Sequence, residues 1–319
     1  MNKCRPNLSD MVPQKSNGLN PLQRGILLAV TYADVFDYPL TVKEIHRYCG
    51  IKASFNHVYA ETDRFRLLNH VGDFYTLPGR EALIAIRTRR EEVSARLWPR
   101  AIRYGKAVAE LPFIRMLAVT GSLAVNNTDD PADIDYLIVT EPGRLWTCRA
   151  LVLALGKLAA RQGLNLCPNY LITTRALEFQ EHTLYVAHEL TQMIPLSGLE
   201  VYAEIRRRNV WVADYLPNAD GMPLEPAPVD WADATPRLRP VFETLARTPP
   251  GAWFERWEME RKIRKLSREQ GFSAESAFSA DVCKGHDQRH QSRTQRMLDS
   301  KVSRLLRAQD LEILDSEIV

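Results

Sequence analysis

Two aspartates in an apolar run are the residues whose type and spacing could best support catalysis. Asp133 and Asp135 stand at positions i and i+2 of the run from Ala132 to Thr140. In a β-strand, residues at this spacing point to the same face. Two carboxylates on one face repel each other unless a cation lies between them, and such ligands suit Mg²⁺, which also takes up phosphate oxygens. The spacing therefore predicts a magnesium site.

A Gly-Ser pair precedes these aspartates. Gly121 and Ser122 follow the apolar run 116–120, and a loop rich in Asn, Asp and Pro separates them from Asp133. Taken alone, the Gly-Ser pair could be an ordinary turn, and Asp133 could cap a strand. Their order, with an apolar strand on each side of the loop, is much more specific. We therefore expect the two aspartates to face Ser122 across a cleft.

This combination resembles the signature of the nucleotidyltransferase superfamily, whose palm domain is of the DNA polymerase β type. The resemblance implies that Gly121 and Ser122 hold the β- and γ-phosphates of a nucleoside triphosphate, with glycine allowing close approach of the phosphate. It also implies that Asp133 and Asp135 bind Mg²⁺. The implied reaction is transfer of a nucleoside monophosphate to an acceptor, with pyrophosphate leaving.

The sequence departs from this family at the third carboxylate, which usually lies on the strand after the next helix. That strand is predicted over 166–173, and its matching position holds Asn169 or Tyr170. The Asn169 carbonyl could ligate a metal but could not act as a base. Glu189 is the nearest candidate for the base, although the pair His188-Glu189 also fits a solvent-facing helix surface.

Several further motifs are similar to those of bacterial nucleotidyltransferase-like proteins that carry an N-terminal winged helix. The resemblance covers roughly residues 21–220 and implies no known substrate. Arg144, on the helix predicted after the metal-binding strand, either faces the phosphates or is an exposed helix cation. The motifs are Gly143-Arg144-Leu145-Trp146, Cys167-Pro168-Asn169-Tyr170, Ala187-His188-Glu189-Leu190, Asn209-Val210-Trp211 and Leu216-Pro217-Asn218.

We predict an α+β fold in which a nucleotidyltransferase palm, a mixed sheet with helices, follows a winged helix-turn-helix and precedes C-terminal helices. Three helical patterns and then a hairpin at 71–77 favour the winged helix. The predicted divisions are a flexible tail (1–20), the winged helix-turn-helix (21–80), a connecting helix (81–110), the nucleotidyltransferase domain (111–216), an extended linker (217–250) and a helical C-terminal region (251–319).

The winged helix could bind DNA or could serve as a packing or protein-contact unit. Its third helix carries His57 and Arg64, but also Glu61 and Asp63, which phosphates would repel. The connecting helix is rich in arginine. Its basic face is either an ordinary solvated surface or a positive wall beside a nucleotide or polynucleotide.

The bulk composition fits an ordinary globular protein. The 319 residues allow two or three domains, and the net charge of +3 does not by itself indicate a nucleic-acid partner. The five cysteines lack zinc-binding spacing and favour reduced thiols. No run reaches the ~18 apolar residues of a membrane span, and residues 1–20 lack the apolar core of a signal peptide. We therefore expect a cytoplasmic protein without membrane contact.

Three functions remain open from the sequence. The first is an enzyme, a Mg²⁺-dependent nucleotidyltransferase acting on a nucleoside triphosphate and an unknown acceptor. The second is a DNA-binding regulator whose catalytically weak palm senses nucleotide, which the missing third carboxylate favours. The third is a partner-binding protein, such as one half of a two-component toxin pair.

Overall fold

The computed structural model describes residues 18–130, 133–161, 163–223, 239–270, 277–285 and 290–316. The flexible tail predicted over 1–20 lies outside the described residues except for 18–20. The region that follows, here called the N-terminal unit (residues 20–77), packs three helices against a small antiparallel sheet of order β1-β3-β2. Its elements are α1 (Pro21–Asp34), β1 (Leu40–Thr41), α2 (Val42–Tyr48), α3 (Phe55–Asp63), β2 (Asn69–Val71) and β3 (Phe74–Thr76).

Local capping fixes where the first helices begin. The Asn20 side chain accepts a hydrogen bond from the backbone N–H of Gln23, and the Asn20 backbone N–H donates in return to the Gln23 side chain. Thr41 and Glu44 repeat this arrangement at α2. Such capping boxes satisfy backbone donors that the first turn of a helix leaves unpaired. The long helix α4 (Leu83–Ala109) then leads from the N-terminal unit into the rest of the molecule.

The central sheet has six strands in the order β7-β4-β5-β6-β9-β8. Strands β5 and β6 are parallel, whereas every other neighbouring pair is antiparallel. The fold is therefore α+β with a mixed sheet, as predicted. The strands are β4 (Ile114–Thr120), β5 (Asp133–Thr140), β6 (Asn165–Thr173), β7 (Ile194–Ser197), β8 (Ala277–Phe278) and β9 (Val282–Lys284).

Helices cover both faces of this sheet. Side chains of α4, α6 and α11 pack on one face, together with Ile134, Tyr136 and Ile138 of β5. Side chains of α1, α7, α8, α9 and α12 pack on the other, together with Leu137 and Val139. None of the helices among the described residues is long and apolar enough to cross a membrane. The remaining helices are α5 (Gly121–Ala124), α6 (Leu145–Ala160), α7 (Leu184–Gln192), α8 (Leu199–Arg208), α9 (Val212–Tyr215), α10 (Arg239–Ala246), α11 (Pro249–Gln270) and α12 (His290–Ser316).

The C-terminal part differs from the sequence prediction. The linker predicted over 217–250 contains α10 and the start of α11, while 224–238 lie outside the described residues. Glu243 of α10 accepts hydrogen bonds from the backbone N–H of Phe113 and from Arg115. The region 251–319 is also not purely helical, because β9 pairs with β6 and extends the sheet. Such long-range contacts leave no local sequence pattern.

A buried ion pair joins α4 to the N-terminal unit. The Arg87 guanidinium lies 2.8 Å from Glu44 and 4.2 Å above the Tyr38 ring, and its side chain is only 7% exposed. We predict that Arg87→Met lowers the free energy of unfolding by about 3 kcal/mol, because Glu44 is left without its partner in a buried position. Urea unfolding would measure this. Arg89→Met, at a side chain that is 70% exposed, is the matched control and should change stability little.

Candidate active site

The two aspartates lie at the start of β5, on the face that β5 shares with Leu137 and Val139. Ile134 between them is fully buried on the opposite face. Asp133 is exposed and accepts a hydrogen bond of 2.7 Å from the Asn165 side chain, whereas Asp135 is half-buried. The i, i+2 spacing therefore brings both carboxylates to one face, as expected.

Glycine is required at position 121 for two independent reasons. Its φ of +66° lies in the left-handed region, which L side chains rarely adopt. A Cβ atom at this position would also lie 2.6 Å from Oδ2 of Asp135. This closeness follows from the sheet, in which the preceding residue Thr120 is the partner of Asp135. The Gly-Ser turn and the second aspartate are therefore in direct contact.

The loop that follows α5, the short helix containing Ser122, depends on the N-terminal unit for its conformation. The Ser122 carbonyl accepts a 2.8 Å hydrogen bond from the backbone N–H of Asn127. The Asn127 side chain in turn donates to the carbonyl of Phe36 and accepts from Arg90. Tyr38 donates its hydroxyl proton to the carbonyl of Val125. The N-terminal unit thus positions the loop that follows Ser122.

A cavity of about 550 Å³, here called the central cavity, lies between the N-terminal unit and the sheet. Its polar side includes both aspartates and Ser122, and its opposite wall is aromatic. The aromatic residues come mainly from α1 and from the segment after it, with α2 and α7 adding one tyrosine each. The residues that matter below are Tyr32, Phe36, Tyr38, Tyr48, Gly121, Ser122, Asp133, Asp135, Cys167, Asn169, Tyr185, His188 and Glu189.

The structure brings Glu189 to the same cavity as the aspartates. Burial raises the pKa of Glu189 to about 7, with a further contribution from the nearby negative charge of Asp135, while Lys284 acts in the opposite direction. Burial likewise raises the pKa of Asp135 to about 6, and the charge of Asp133 adds to this, while a hydrogen bond with Cys167 lowers it. Three carboxylates therefore interact within one cavity.

His188 is buried, so the interpretation of His188-Glu189 as a solvent-facing pair is wrong. Its ring stacks on Tyr32 with centroids 3.9 Å apart, and its Nδ1 lies 2.9 Å from the carbonyl oxygen of Leu184. Burial lowers the pKa of His188 to about 4, so the ring is neutral at physiological pH. His188 joins α7 to the N-terminal unit, whereas Glu189 interacts electrostatically with Asp135.

The register between β5 and β6 decides which residue stands beside Asp135. Cys167 is its direct partner, and a bulge then places two residues, Pro168 and Asn169, opposite the single residue Tyr136. Asn169 nevertheless lines the central cavity. Neither Cys167 nor Asn169 is a carboxylate, so this strand adds no third acid to the pair.

Arg144 lies away from the aspartates. It precedes α6, after the end of β5, and its guanidinium lies 5.1 Å from the centre of the Phe113 ring. Phe113 adjoins Ile114, the partner of Thr140 at the far end of β5. About seven residues at ~3.3 Å each separate this end from Asp133. The prediction that Arg144 faces the same phosphates does not fit this position.

The residues that the sequence did not single out come from distant segments. Tyr32 of α1 and Phe36, two residues beyond the end of that helix, stand at i and i+4 and line the cavity, a spacing that also fits an ordinary helix core. Lys284 of β9 is half of an ion pair with Glu181 and sits near Glu189. No local pattern marks it, because only the pairing of β9 with β6 brings it there.

The donor set fits a hard cation such as Mg²⁺. Two carboxylates share one face, the Asn169 amide and the Ser122 hydroxyl line the same cavity, and the absence of a side chain at Gly121 lets the Asp135 carboxylate lie against the turn. Within the residues that the structure describes, no cluster of three or more His, Cys, Asp or Glu side chains is arranged to hold a metal. The protein would therefore supply few charged ligands to the metal. In Mg²⁺ sites of this kind, water and substrate phosphates complete the coordination.

Comparisons with models of protein families, with curated proteins and with solved structures found no match for this chain. What the protein does must therefore be inferred from its own residues and their geometry.

The raised pKa of Glu189 predicts a pH dependence of stability. Between its unfolded pKa of about 4.3 and its folded pKa of about 7, the folded state binds more protons than the unfolded state. The stability therefore falls as the pH rises through this range. In metal-free buffer, Glu189→Gln should remove the decline in melting temperature above about pH 6, whereas Asp135, whose folded pKa is about 6, still contributes a decline below that pH. Glu178→Gln, at an exposed carboxylate, is the control, and an equal slope in all three proteins would contradict the prediction.

Proposed function

We propose that this chain is a Mg²⁺-dependent nucleotidyltransferase that transfers a nucleoside monophosphate from a nucleoside triphosphate to an acceptor hydroxyl. The observation that carries the proposal is the contact between the Gly-Ser turn and the aspartate pair. The position of a Gly121 Cβ would be 2.6 Å from the Asp135 carboxylate, and Ser122, Asp133 and Asp135 line one cavity. A phosphate-binding turn and a metal-binding pair would need this proximity to act on one triphosphate.

Each side chain has a distinct role in this proposal. Gly121 and Ser122 receive the β- and γ-phosphates, since the turn has no side chain at Gly121 to obstruct them. Asp133 and Asp135, with the Asn169 amide, would hold Mg²⁺, which when bound neutralises triphosphate charge and orients the α-phosphate. Glu189 takes the proton of the acceptor hydroxyl. Its pKa of about 7 is close to that of an efficient general base at neutral pH.

We also propose that the N-terminal unit is a winged helix-turn-helix and that the sheet domain is a palm of the polymerase β type. The N-terminal unit has three helices followed by the β2–β3 hairpin, which supports a winged helix-turn-helix. The order β4, Gly-Ser turn, β5, α6, β6 supports a palm of the polymerase β type. The aromatic wall from α1 supports a role for the N-terminal unit in binding the nucleotide rather than in binding DNA alone.

A second candidate function is a catalytically weak nucleotide sensor. The observation that favours it is the residue beside Asp135 on β6, which is Cys167 rather than a carboxylate. A sensor would bind Mg²⁺ and triphosphate but release little pyrophosphate. A general base typically contributes ~10²–10⁴-fold to a rate. Whether Glu189 acts as that base therefore separates an active transferase from a nucleotide sensor.

Replacing the aspartate pair tests the metal site. Asp133→Asn with Asp135→Asn should abolish Mg²⁺-dependent binding of a fluorescent triphosphate analogue. Pyrophosphate release should fall by at least ~100-fold, because a bound metal contributes several kcal/mol. The melting temperature should not fall, since the change removes like charges from one strand. Asp63→Asn with Asp73→Asn, at exposed sites of the N-terminal unit, is the control. Equal binding by all three proteins would refute the proposal.

Adding a carboxylate tests the place of Asn169. Asn169→Asp should tighten Mg²⁺ binding, because the central cavity would then hold one more carboxylate besides Asp133, Asp135 and Glu189. Isothermal titration with Mg²⁺ would measure the affinity, and Asn165→Asp, beside Asp133 but exposed, is the comparison. Unchanged affinity in Asn169→Asp would show that this side chain does not face the metal.

A further inference from the structure

Two arginines from distant parts of the chain bind the end of the same helix. The Arg47 guanidinium of α2 donates hydrogen bonds to the carbonyl oxygens of Thr191 and Asp220, at 3.2 and 3.3 Å. The Arg206 guanidinium of α8 donates to the carbonyl oxygen of the residue just before each of these, at 3.1 and 2.9 Å. Because consecutive Cα atoms lie about 3.8 Å apart, the two guanidiniums are neighbours between the last turn of α7 and the segment after α9.

The positive charges of these two arginines are not balanced by an adjacent carboxylate. Arg47 is only 4% exposed and Arg206 is half-buried, and within the described part of the chain neither forms an ion pair with a carboxylate. Burial lowers the pKa of Arg206, and the charge of Arg47 lowers it further, while Tyr202 and Asp220 act in the opposite direction. The Asp220 carboxylate is itself exposed and pairs with Lys52. Buried charges are ordinarily paired, because they have lost their hydration.

Two buried polar groups at this place lack a hydrogen-bond partner among the residues that the structure describes. They are Nε of Arg47 and the hydroxyl of Tyr202. Tyr202 is 6% exposed and stands four residues before Arg206, on the same face of α8. Burial raises the pKa of Tyr202, while the positive charges of Arg206 and Arg47 lower it, so the hydroxyl is close to both guanidiniums. Both unpartnered groups can donate a hydrogen bond, and the missing partner is therefore an acceptor.

A water molecule or an anion would supply this acceptor, and the charge of the surroundings decides between them. Water satisfies many buried polar groups in proteins, but here it would leave two adjacent positive charges uncompensated away from solvent. The surroundings are apolar, since Tyr202, Ile205 and Leu190 belong to one buried cluster, and charges in such surroundings interact strongly. The two available donors are few for the several oxygens of a phosphate, but they suit a small monovalent anion.

We propose that a monovalent anion of the size of chloride binds between Arg47 and Arg206, where it accepts hydrogen bonds from Nε of Arg47 and from the Tyr202 hydroxyl. The site is separate from the aspartate pair and does not depend on the proposed function. Arg47 belongs to the N-terminal unit and Arg206 to α8, so the anion fastens the N-terminal unit to the helices that cover the sheet. Helix α7, which both arginines bind, also carries Glu189, and the anion therefore secures the helix that brings this carboxylate to the central cavity.

The test compares melting temperatures in sodium chloride and in sodium gluconate at equal ionic strength, after dialysis into gluconate. Chloride should stabilise the wild-type protein in a saturating manner, because it binds only the folded state, with a rise of about 3 °C at tenfold the dissociation constant. Bromide should replace chloride. Tyr202→Phe removes one donor and should weaken chloride binding about fivefold, the contribution of one hydrogen bond. In gluconate this variant should be no less stable than the wild type, since the hydroxyl it removes has no partner there.

Tyr215→Phe is the matched control, because the Tyr215 hydroxyl donates to the carbonyl oxygen of His182. It should lose stability equally in both salts and keep the chloride dependence of the wild type. Weakened chloride dependence in Tyr202→Phe alone supports the proposal. The absence of a saturating chloride effect in the wild type, or an equal effect in all three proteins, overturns it and assigns the two donors to water. A saturating effect of phosphate but not of chloride also overturns it. None of these outcomes requires triphosphate, so the result is independent of the proposed function.

Discussion

The contact between Gly121 and Asp135 is the constraint on which the candidate site depends. The left-handed backbone at Gly121 lets β4 end in a tight turn beside the second aspartate of β5, and no side chain could occupy the space between them. Because β4 and β5 are antiparallel neighbours, the turn at the end of β4 and the carboxylates at the start of β5 lie side by side. The rest of the sheet holds these two strands in register.

The N-terminal unit is part of this site rather than a separate attachment. Its Phe36 carbonyl and Tyr38 hydroxyl hold the loop after Ser122, and its aromatic side chains form a wall of the central cavity. The buried pair of Arg87 with Glu44 fixes α4 to the same unit. A ligand or partner that shifted this unit would therefore move the loop, which offers a physical route from the N-terminal unit to the site.

Burial sets the electrostatics of the cavity. Asp135 and Glu189 have raised pKa values because both are removed from water and lie near other negative charge. The site thus favours either protons or a cation, which explains why a carboxylate cluster can persist in a partly enclosed cavity. His188, buried against Tyr32, stays neutral and does not offset this charge.

The sequence by itself determined the elements with strong local patterns. The i, i+2 aspartates, the Gly-Ser turn and the amphipathic helices follow from residue spacing, whereas the mixed α+β sheet was expected from the family resemblance that these residues carry. Tertiary structure decided the rest. It brought Glu189 into the cavity, placed Arg144 at the far end of β5 and added β9 to the sheet. These outcomes depend on strand register and on contacts between residues far apart in the chain, and neither leaves a signal in local sequence.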